Sequence, residues 1–402
     1  MRGRSVRVAP PARVALPLIL VAVLAVLVVV SVLVTALSGP GARPAEVLGV
    51  RGADISFTLQ EEAAGTALSD GGQRRPVERI LAARGANYVR LRVWVSPPAG
   101  YSDEKSALTL ARRAHSAGLK IMLVPHYSDF WADPHAQEPP ASWPRSDLAA
   151  MKRRIGDYTR DLVSRFAAQG TPVDMIQIGN EITNGILWPL GSVQAGTADE
   201  WARLADLLNS AIAGAREGAP GRHLPVVLHV DSGGDSGLSR YFFDSLIQAG
   251  VTSFDIIGLS YYPFWNGSLA ALRANLDMLA SRYHRGILIA ETAYPQSLAA
   301  AKPGDWVNTP DQLPDGTALP ATPAGQERFF AQLRQILSDV PDHRGLGFFV
   351  WEPAWLTVSP KPGEPMPAAN LAMFDRDGTA LPSLNAFAAI PAAASGAAPG
   401  AS

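Results

Sequence analysis

The chain of 402 residues has no cysteine and almost no net charge, and each absence excludes a class of function. Without cysteine it can form no disulfide, no thiolate nucleophile and no cysteine-ligated zinc site. The 35 basic and 36 acidic side chains leave a formal charge of −1, which gives no electrostatic reason to expect a nucleic-acid partner. The sequence also lacks a phosphate-binding glycine-rich loop and the His-Glu-x-x-His spacing of zinc hydrolases. Its hydrophobic content of 47% indicates a chain that builds a sizeable core.

A long apolar run stands near the N-terminus, from Val14 to about Leu37, and four arginines precede it. A signal-peptide core has ~7–15 apolar residues, whereas a membrane-spanning helix needs about 20. The length favours a signal anchor, and the basic residues predict that its N-terminal end stays in the cytoplasm while the rest is exported. The alternative is a long signal peptide cleaved between about Ala36 and Ala42. Both readings place the rest of the chain on the extracellular side of the membrane.

Composition sets the predicted domain boundaries. Residues 1–37 form the signal segment, and residues 38–47, rich in Gly, Pro and Ala, form a linker. Residues 390–402 consist largely of Ala, Pro, Gly and Ser, which predicts a disordered tail. Residues 48–389 show no break that would mark a second domain.

Within residues 48–389, short apolar runs alternate with amphipathic segments of helical length. Such alternation predicts parallel strands joined by helical crossovers. Eight units favour a (β/α)8 barrel, and an open doubly wound sheet is disfavoured because no Gly-x-Gly-x-x-Gly follows the first strand. The predicted strands are Gly49–Ser56, Tyr88–Val95, Leu119–Pro125, Val173–Gly179, Pro225–Val230, Phe254–Ser260, Gly286–Ala290 and Leu346–Trp351.

Polar and aromatic residues follow these strands, at the end where barrel enzymes place their active sites. Eight of the nine tryptophans occupy strand ends or the loops after them, and the exception, Trp201, lies on a helix. Aromatic rings gathered on one face are typical of platforms that stack on sugars. The candidate substrate-binding residues are Arg90, Arg92, Trp94, His126, Asp129, Trp131, Asn180, His229, Tyr262, Trp265 and Trp351.

Two glutamates end separate strands, Glu181 after Ile-Gln-Ile-Gly-Asn and Glu291 after Ile-Leu-Ile-Ala. A pair of carboxylates flanking one bond is the equipment of a retaining glycosidase. Glu181 is the candidate acid/base, which requires a raised pKa in the resting enzyme. Glu291 is the candidate nucleophile, ionised and held by a cation or hydroxyl donors.

The neighbours of these carboxylates have candidate roles of their own. Arg90 or Arg92, together with Tyr262, would hold the nucleophile, and Asn180 would bind the sugar 2-OH, a contact that strengthens in the transition state. His126 and Trp351 would line the subsite of cleavage. Alternatives stay open for several of these residues. Arg90 could be a buried ion-pair partner, and His126 could be a core histidine whose hydrogen bonds are made within the protein. For Asp129 and Asp133 the alternative is turn capping, and Glu352, followed by proline, favours a loop-fixing role.

With these residues in view, residues 48–384 resemble glycoside hydrolase family 53, the arabinogalactan endo-β-1,4-galactanases. The resemblance implies a retaining endo-hydrolase of β-1,4-galactan, with Glu181 as acid/base and Glu291 as nucleophile. Seven motifs carry it in the family's order: Gly52-Ala53-Asp54-Ile55-Ser56; Val89-Arg90-Leu91-Arg92-Val93-Trp94; His126-Tyr127-Ser128-Asp129; Gly179-Asn180-Glu181-Ile182-Thr183; Ser260-Tyr261-Tyr262-Pro263; Glu291-Thr292 with Tyr294-Pro295; and Trp351-Glu352-Pro353-Ala354-Trp355.

The chain departs from the family at two places. Val124-Pro125 stands where the family usually has Asp-Phe, and Phe130 stands where it has a small polar residue. The first change removes a charge near the subsites, so fine substrate preference is the property in question. The resemblance also allows a structural calcium, which some members bind in the loop after the seventh strand. Its ligands are not matched in residues 295–309, so the calcium is not carried over and no cofactor or metal is assigned.

The predicted partners are a polysaccharide or oligosaccharide substrate and the membrane. Two alternatives to a galactanase remain: a related retaining enzyme for another β-linked glycan, and a catalytically silent, membrane-anchored glycan-binding protein.

Overall fold

The computed structural model describes residue 3 and residues 48–98, 100–360 and 364–389. The predicted signal anchor, the linker and the C-terminal tail lie outside the described residues. Within the described ranges, no helix has both the length and the apolar character needed to cross a membrane.

Eight parallel strands close into a barrel, which confirms the predicted fold class. Each strand pairs with its neighbours in the chain, and the first pairs with the last. The strands are β1 (Val50–Asp54), β2 (Tyr88–Val93), β3 (Lys120–Pro125), β4 (Met175–Gln177), β5 (Val226–Val230), β6 (Ile256–Tyr261), β7 (Gly286–Thr292) and β8 (Gly345–Val350).

Seven longer helices connect these strands on the outside of the barrel, and a 3₁₀ segment packs against the last helix and β1 where an eighth helix would stand. The helices are α1 (Val77–Ala83), α2 (Glu104–Ser116), α3 (Leu148–Ala168), α4 (Ala198–Glu217), α5 (Ser236–Gln248), α6 (Leu269–Tyr283) and α7 (Pro323–Asp339), and the 3₁₀ segment is Pro382–Phe387. The loops add the short helices Thr58–Ala63 and Pro263–Asn266, the 3₁₀ turns Ile182–Asn184, Pro310–Gln312, Pro341–His343 and Ala369–Leu371, and two small hairpins, Ser69–Asp70 with Gln73–Arg74 and Gly185–Ile186 with Gly191–Ser192.

Helices α2 to α7 all begin at a side-chain cap. In each, an Asp, Ser or Thr oxygen accepts a hydrogen bond from a backbone N–H of the first turn, which satisfies a donor that the helix itself leaves unpaired. The capping residues are Asp103, Asp147, Thr197, Asp235, Ser268 and Thr322.

Strand alternation divides the core into two parts. On β2, Val89, Leu91 and Val93 belong to the large cluster between the barrel and its helices. The residues between them, Arg90 and Arg92, therefore point into the barrel. A separate apolar cluster fills much of the interior, made by Val50, Tyr88, Met122, Val124, Met175, Val227, Ile256, Leu288 and Phe349. The polar side chains at the strand ends therefore lie above this packed apolar cluster.

Candidate active site

Arg90 links three parts of the site from inside β2. Its guanidinium is fully buried and lies 2.6 Å from Asp54 Oδ2 on β1. One nitrogen, Nη2, reaches both Asn180 Oδ1 and Glu291 Oε1, each at 2.7 Å. Burial alone would lower the pKa of Arg90, and Glu291 and Asp54 raise it instead, so the guanidinium stays charged. The two predictions for Arg90, ion-pair partner and holder of the nucleophile, describe the same contacts.

Glu291 points into the barrel because β7 is irregular at its end. Ile287 and Ile289 face the outer helices, so strict alternation would turn Glu291 outward as well. The pairing with β6 shifts register between Leu259 and Ser260, which places Glu291 opposite Ser260. An extra residue of this kind reverses the facing of the residues after it.

The carboxylate of Glu291 is held by a cation and a phenol. Besides Arg90, Tyr262 donates its O–H to Glu291 Oε2 at 3.0 Å. Burial raises the pKa of Glu291, and Arg90 and Tyr262 act against that shift. Burial together with the charge of Glu291 holds the pKa of Tyr262 well above its usual value, so the phenol remains a hydrogen-bond donor.

Glu181 stands on the other side of the site, on the turn after β4. Its backbone is left-handed, with φ 45° and ψ 55°, a conformation that a residue with a side chain rarely adopts. Ser260 donates its hydroxyl to Glu181 Oε1 at 2.6 Å. Burial and the nearby charge of Glu291 raise the pKa of Glu181 well above its ordinary value. Because Glu291 lies beside the Arg90 cation and Glu181 does not, Glu291 holds the negative charge of the pair and Glu181 holds the proton.

A neutral His229 fixes the Ser260 hydroxyl. Burial, with the charge of Arg90, lowers the pKa of His229 well below its usual value. Its Nε2 lies 2.9 Å from Ser260 Oγ, whose hydrogen goes to Glu181, so Nε2–H is the donor in that contact. Nδ1 is then the acceptor, and it lies 3.0 Å from Gln177 Nε2. The chain of donors runs from His229 through Ser260 to Glu181.

Asn180 is fixed on both sides of its amide. Its oxygen accepts from Arg90 and from Gln177 Nε2, the latter at 3.1 Å, and its nitrogen donates to the carbonyl of Ala132 at 2.9 Å. An amide nitrogen carries two hydrogens, so a second donor remains at this position.

His126 has one nitrogen engaged and one available. Trp94 Nε1 donates to His126 Nδ1 at 3.3 Å, so in the neutral ring Nε2 carries the hydrogen. Burial, with Arg92 and Arg90 nearby, lowers the pKa of His126 well below its usual value. Within the described ranges Nε2 has no hydrogen-bond partner. An unpaired buried donor of this kind is suited to a sugar oxygen.

Arg92 lies on the side of the site formed by the end of β8 and the loop after β1, and it stabilises that side. Its guanidinium lies 2.9 Å from Glu352 Oε1 and over the rings of Phe57 and Trp131, at 4.7 and 4.6 Å from their centroids. Glu352 also accepts from the backbone N–H of Phe57 at 3.1 Å, which ties the end of β8 to the loop after β1. These are the contacts that a loop-fixing role requires.

The remaining predicted residues differ in exposure. Trp94 is fully buried behind Trp131, and Trp351 is also buried. Trp265 is 55% exposed. Asp129 accepts from the backbone N–H of Ala141 at 2.8 Å, so its carboxylate organises its own loop.

Sequence reasoning assigned no individual role to four residues of the site. Gln177, Ser260 and Asp54 all face the barrel interior, which alternation along their strands could have indicated. Trp306 lies in an irregular loop and joins the aromatic rings near Trp351, and no periodic signal pointed to it.

The loop after β7 carries one acidic side chain between residues 295 and 309, Asp305. Asp305 accepts from the backbone N–H of Lys302 at 2.8 Å and so caps a local turn. Across the described part of the chain, no group of three or more His, Cys, Asp or Glu side chains is placed to hold a metal.

Comparisons with a family model, with curated sequences and with solved structures all identify the same family. Residues 50–387 match the model of Glycosyl hydrolase family 53. The chain is 40% identical over 315 residues to a probable arabinogalactan endo-β-1,4-galactanase A of Aspergillus terreus, covering 77% of this chain and 86% of that one. It is 35% identical over 346 residues to the arabinogalactan endo-β-1,4-galactanase of Thermothelomyces thermophilus, covering 85% and 99%. A solved structure from a study of two fungal β-1,4-galactanases superposes with a TM-score of 0.75 at 35% identity, covering 85% of this chain and 99% of that one.

Proposed function

Because the chain belongs to glycosyl hydrolase family 53, we propose that it is an endo-hydrolase of β-1,4-galactan that works by double displacement with retention at the anomeric carbon. One observation supports the assignment of Glu291 as the nucleophile and Glu181 as the acid/base. Glu291 lies 2.7 Å from the Arg90 cation, whereas Glu181 lies beside a neutral serine and has its pKa raised by burial and by Glu291. Paired carboxyls whose environments separate their pKa values take the acid and the nucleophile roles.

In the first step, a carboxylate oxygen of Glu291 attacks the anomeric carbon of the sugar in the cleavage subsite. The bond to the leaving galactan chain breaks, and Glu181 gives its proton to the departing oxygen. The product of this step is a glycosyl ester on Glu291. Asn180, through its second amide hydrogen, would hold the sugar 2-OH, and His126 Nε2–H would hold another sugar oxygen.

In the second step, Glu181 takes a proton from water and the water oxygen attacks the anomeric carbon, which breaks the ester and restores Glu291. The change of role has an electrostatic cause. The charge of Glu291 raises the pKa of Glu181 in the resting enzyme, and the ester carries no charge. The pKa of Glu181 therefore falls when the intermediate forms, as a base requires.

The substrate is inferred from the relatives, whose names specify arabinogalactan endo-β-1,4-galactanase. The test is reducing-sugar release by residues 45–402 on linear β-1,4-galactan, arabinan, xylan and mannan, with Glu291→Gln beside the wild type. Activity on galactan alone, abolished in the variant, is the expected result. Activity only on another glycan would identify that glycan as the substrate. The departure from the family at Val124-Pro125 would then be the first candidate cause of the changed preference.

A catalytically silent glycan-binding protein is the outcome that this assay would also expose, as wild-type binding to galactan without hydrolysis. The presence of both carboxyls in an intact hydrogen-bond network argues against it, since a protein selected for binding alone has no need of a raised pKa on Glu181.

We further propose that residues 14–37 anchor the enzyme on the outer side of the cell membrane. The support is the sequence alone: an uncharged run long enough to span, with arginines before it. Fractionation of cells expressing the full chain should recover it in membranes after alkaline washing, whereas residues 45–402 should not sediment. A chain found in the medium with a new N-terminus between about residues 36 and 42 would identify a cleaved signal peptide instead.

A further inference from the structure

A row of tryptophan rings leads from the wall of the site to the protein surface. Trp351 lies 6.3 Å from Trp131 and 4.9 Å from Trp306, measured between ring centroids. Trp306 in turn lies 5.2 Å from Trp265, the most exposed ring of the row. From Trp351 outward the rings become more accessible, since Trp351 is buried, Trp306 is half-buried and Trp265 is exposed.

The outer pair, Trp265 and Trp306, is connected to the catalytic centre as well as to the surface. Trp265 lies 5.2 Å from the ring of Tyr262, whose hydroxyl donates to Glu291. Trp265 comes from the loop after β6. Trp306 comes from the loop after β7, the strand that carries Glu291 near its end. A galactan chain bound at Glu291 and extended past the ring of Tyr262 would meet Trp265 and then Trp306.

The outer pair is held in place by the backbone. The N–H of Trp306 donates to the carbonyl of Pro367 at 3.0 Å, and Gln312 Nε2 donates to the carbonyl of Trp306 at 3.0 Å. Trp265 sits in the short helix Pro263–Asn266, and its N–H donates to the carbonyl of Tyr262 at 2.9 Å. The rings are also packed, Trp306 against Trp351 and Trp355 and Trp265 against Phe264. Rings held in advance lose little freedom when a ligand stacks on them, which favours binding.

We propose that Trp265 and Trp306 form a remote sugar subsite that holds galactose residues of the polymer away from the cleaved bond and so favours long chains over short ones. The proposal rests on the galactanase activity above. Galactose suits such a surface because its axial oxygen at C4, which carries the linkage in the polymer, leaves the hydrogens of C3, C4 and C5 together on the opposite face. The exposed indole of Trp265 and the half-buried indole of Trp306 together offer apolar ring surface on which a sugar can stack.

The experiment compares Trp265→Ala and Trp306→Ala with the wild type on long linear β-1,4-galactan and on β-1,4-galactotriose. Tyr241→Ala is the control, since this tyrosine on α5 is 51% exposed and contacts Trp201 rather than the row. We expect kcat/KM on the polymer to fall about tenfold in each tryptophan variant, mainly through KM, with the trisaccharide changed less than twofold. Trp265→Phe should recover most of the loss, and Tyr241→Ala should leave both substrates unaffected.

Equal loss on both substrates, or no loss on either, would overturn the subsite. Affinity electrophoresis in galactan gels, with every variant carried in a Glu291→Gln background, separates this failure from failure of the proposed function. Wild-type turnover with retardation independent of the two tryptophans rejects the subsite and leaves the galactanase. Retardation that depends on them without wild-type turnover keeps a galactan-binding subsite and rejects the hydrolase.

Discussion

Replacement of Tyr262 by Phe tests how the nucleophile is kept ionised. The change removes one O–H donor, 3.0 Å from Glu291 Oε2, and keeps the ring. A hydrogen bond to a charged group contributes about 1.5–3 kcal/mol. One pKa unit corresponds to about 1.4 kcal/mol, so the pKa of Glu291 should rise by roughly one to two units.

The sign of the effect on activity follows from the role of Glu291. The reaction needs its carboxylate, so the acidic limb of the kcat/KM profile should move to higher pH by the same one to two units. At the pH optimum we expect kcat/KM to fall about tenfold to a hundredfold, because the carboxylate also loses a contact that positions it. The assay is the pH dependence of galactan hydrolysis from about pH 3 to 9.

Tyr261→Phe is the matched control. Tyr261 is the neighbouring residue, it is also buried, and its hydroxyl donates to the carbonyl of Gly267 instead. Its loss should cost stability without moving the acidic limb. If Tyr262→Phe leaves the acidic limb in place, or behaves as Tyr261→Phe does, then the phenol does not stabilise the ionised nucleophile.

Three further outcomes follow from the structure. Ser260→Ala removes the 2.6 Å donor that lowers the pKa of Glu181, so the basic limb of the profile should move to higher pH, and an unmoved basic limb would argue against Glu181 as the acid. Proton NMR of early products should show the β anomer first, and an initial α anomer would eliminate double displacement. Thr197→Ala breaks the capping box with Glu200 at the start of α4 and should lower the free energy of unfolding by about 1 kcal/mol in urea titration while kcat stays constant, because α4 lies outside the site.

The barrel could be predicted because its strands are apolar on both faces and its helices are amphipathic, which are signals of short range. The catalytic glutamates were found for the same reason, as charged residues at the ends of apolar runs. The facing of Glu291 could not be found this way, because strict alternation from Ile289 turns it outward and only the register shift against β6 reverses it. Trp306 could be predicted only as one of eight tryptophans after strand ends, because its loop has no periodic pattern that would assign it a contact. The pairing of Arg92 with Glu352 joins residues 260 positions apart, and no local pattern encodes such a contact.

The left-handed backbone of Glu181 has a consequence for engineering. A non-glycine residue in this conformation costs of order 1–3 kcal/mol, which the surrounding turn must offset. Glycine accepts the same dihedral angles without strain, so Glu181→Gly would relieve that cost and remove the acid in one substitution. A library screened only for heat resistance should therefore enrich inactive sequences at this codon, and thermostabilisation of this enzyme calls for selection on turnover at every round.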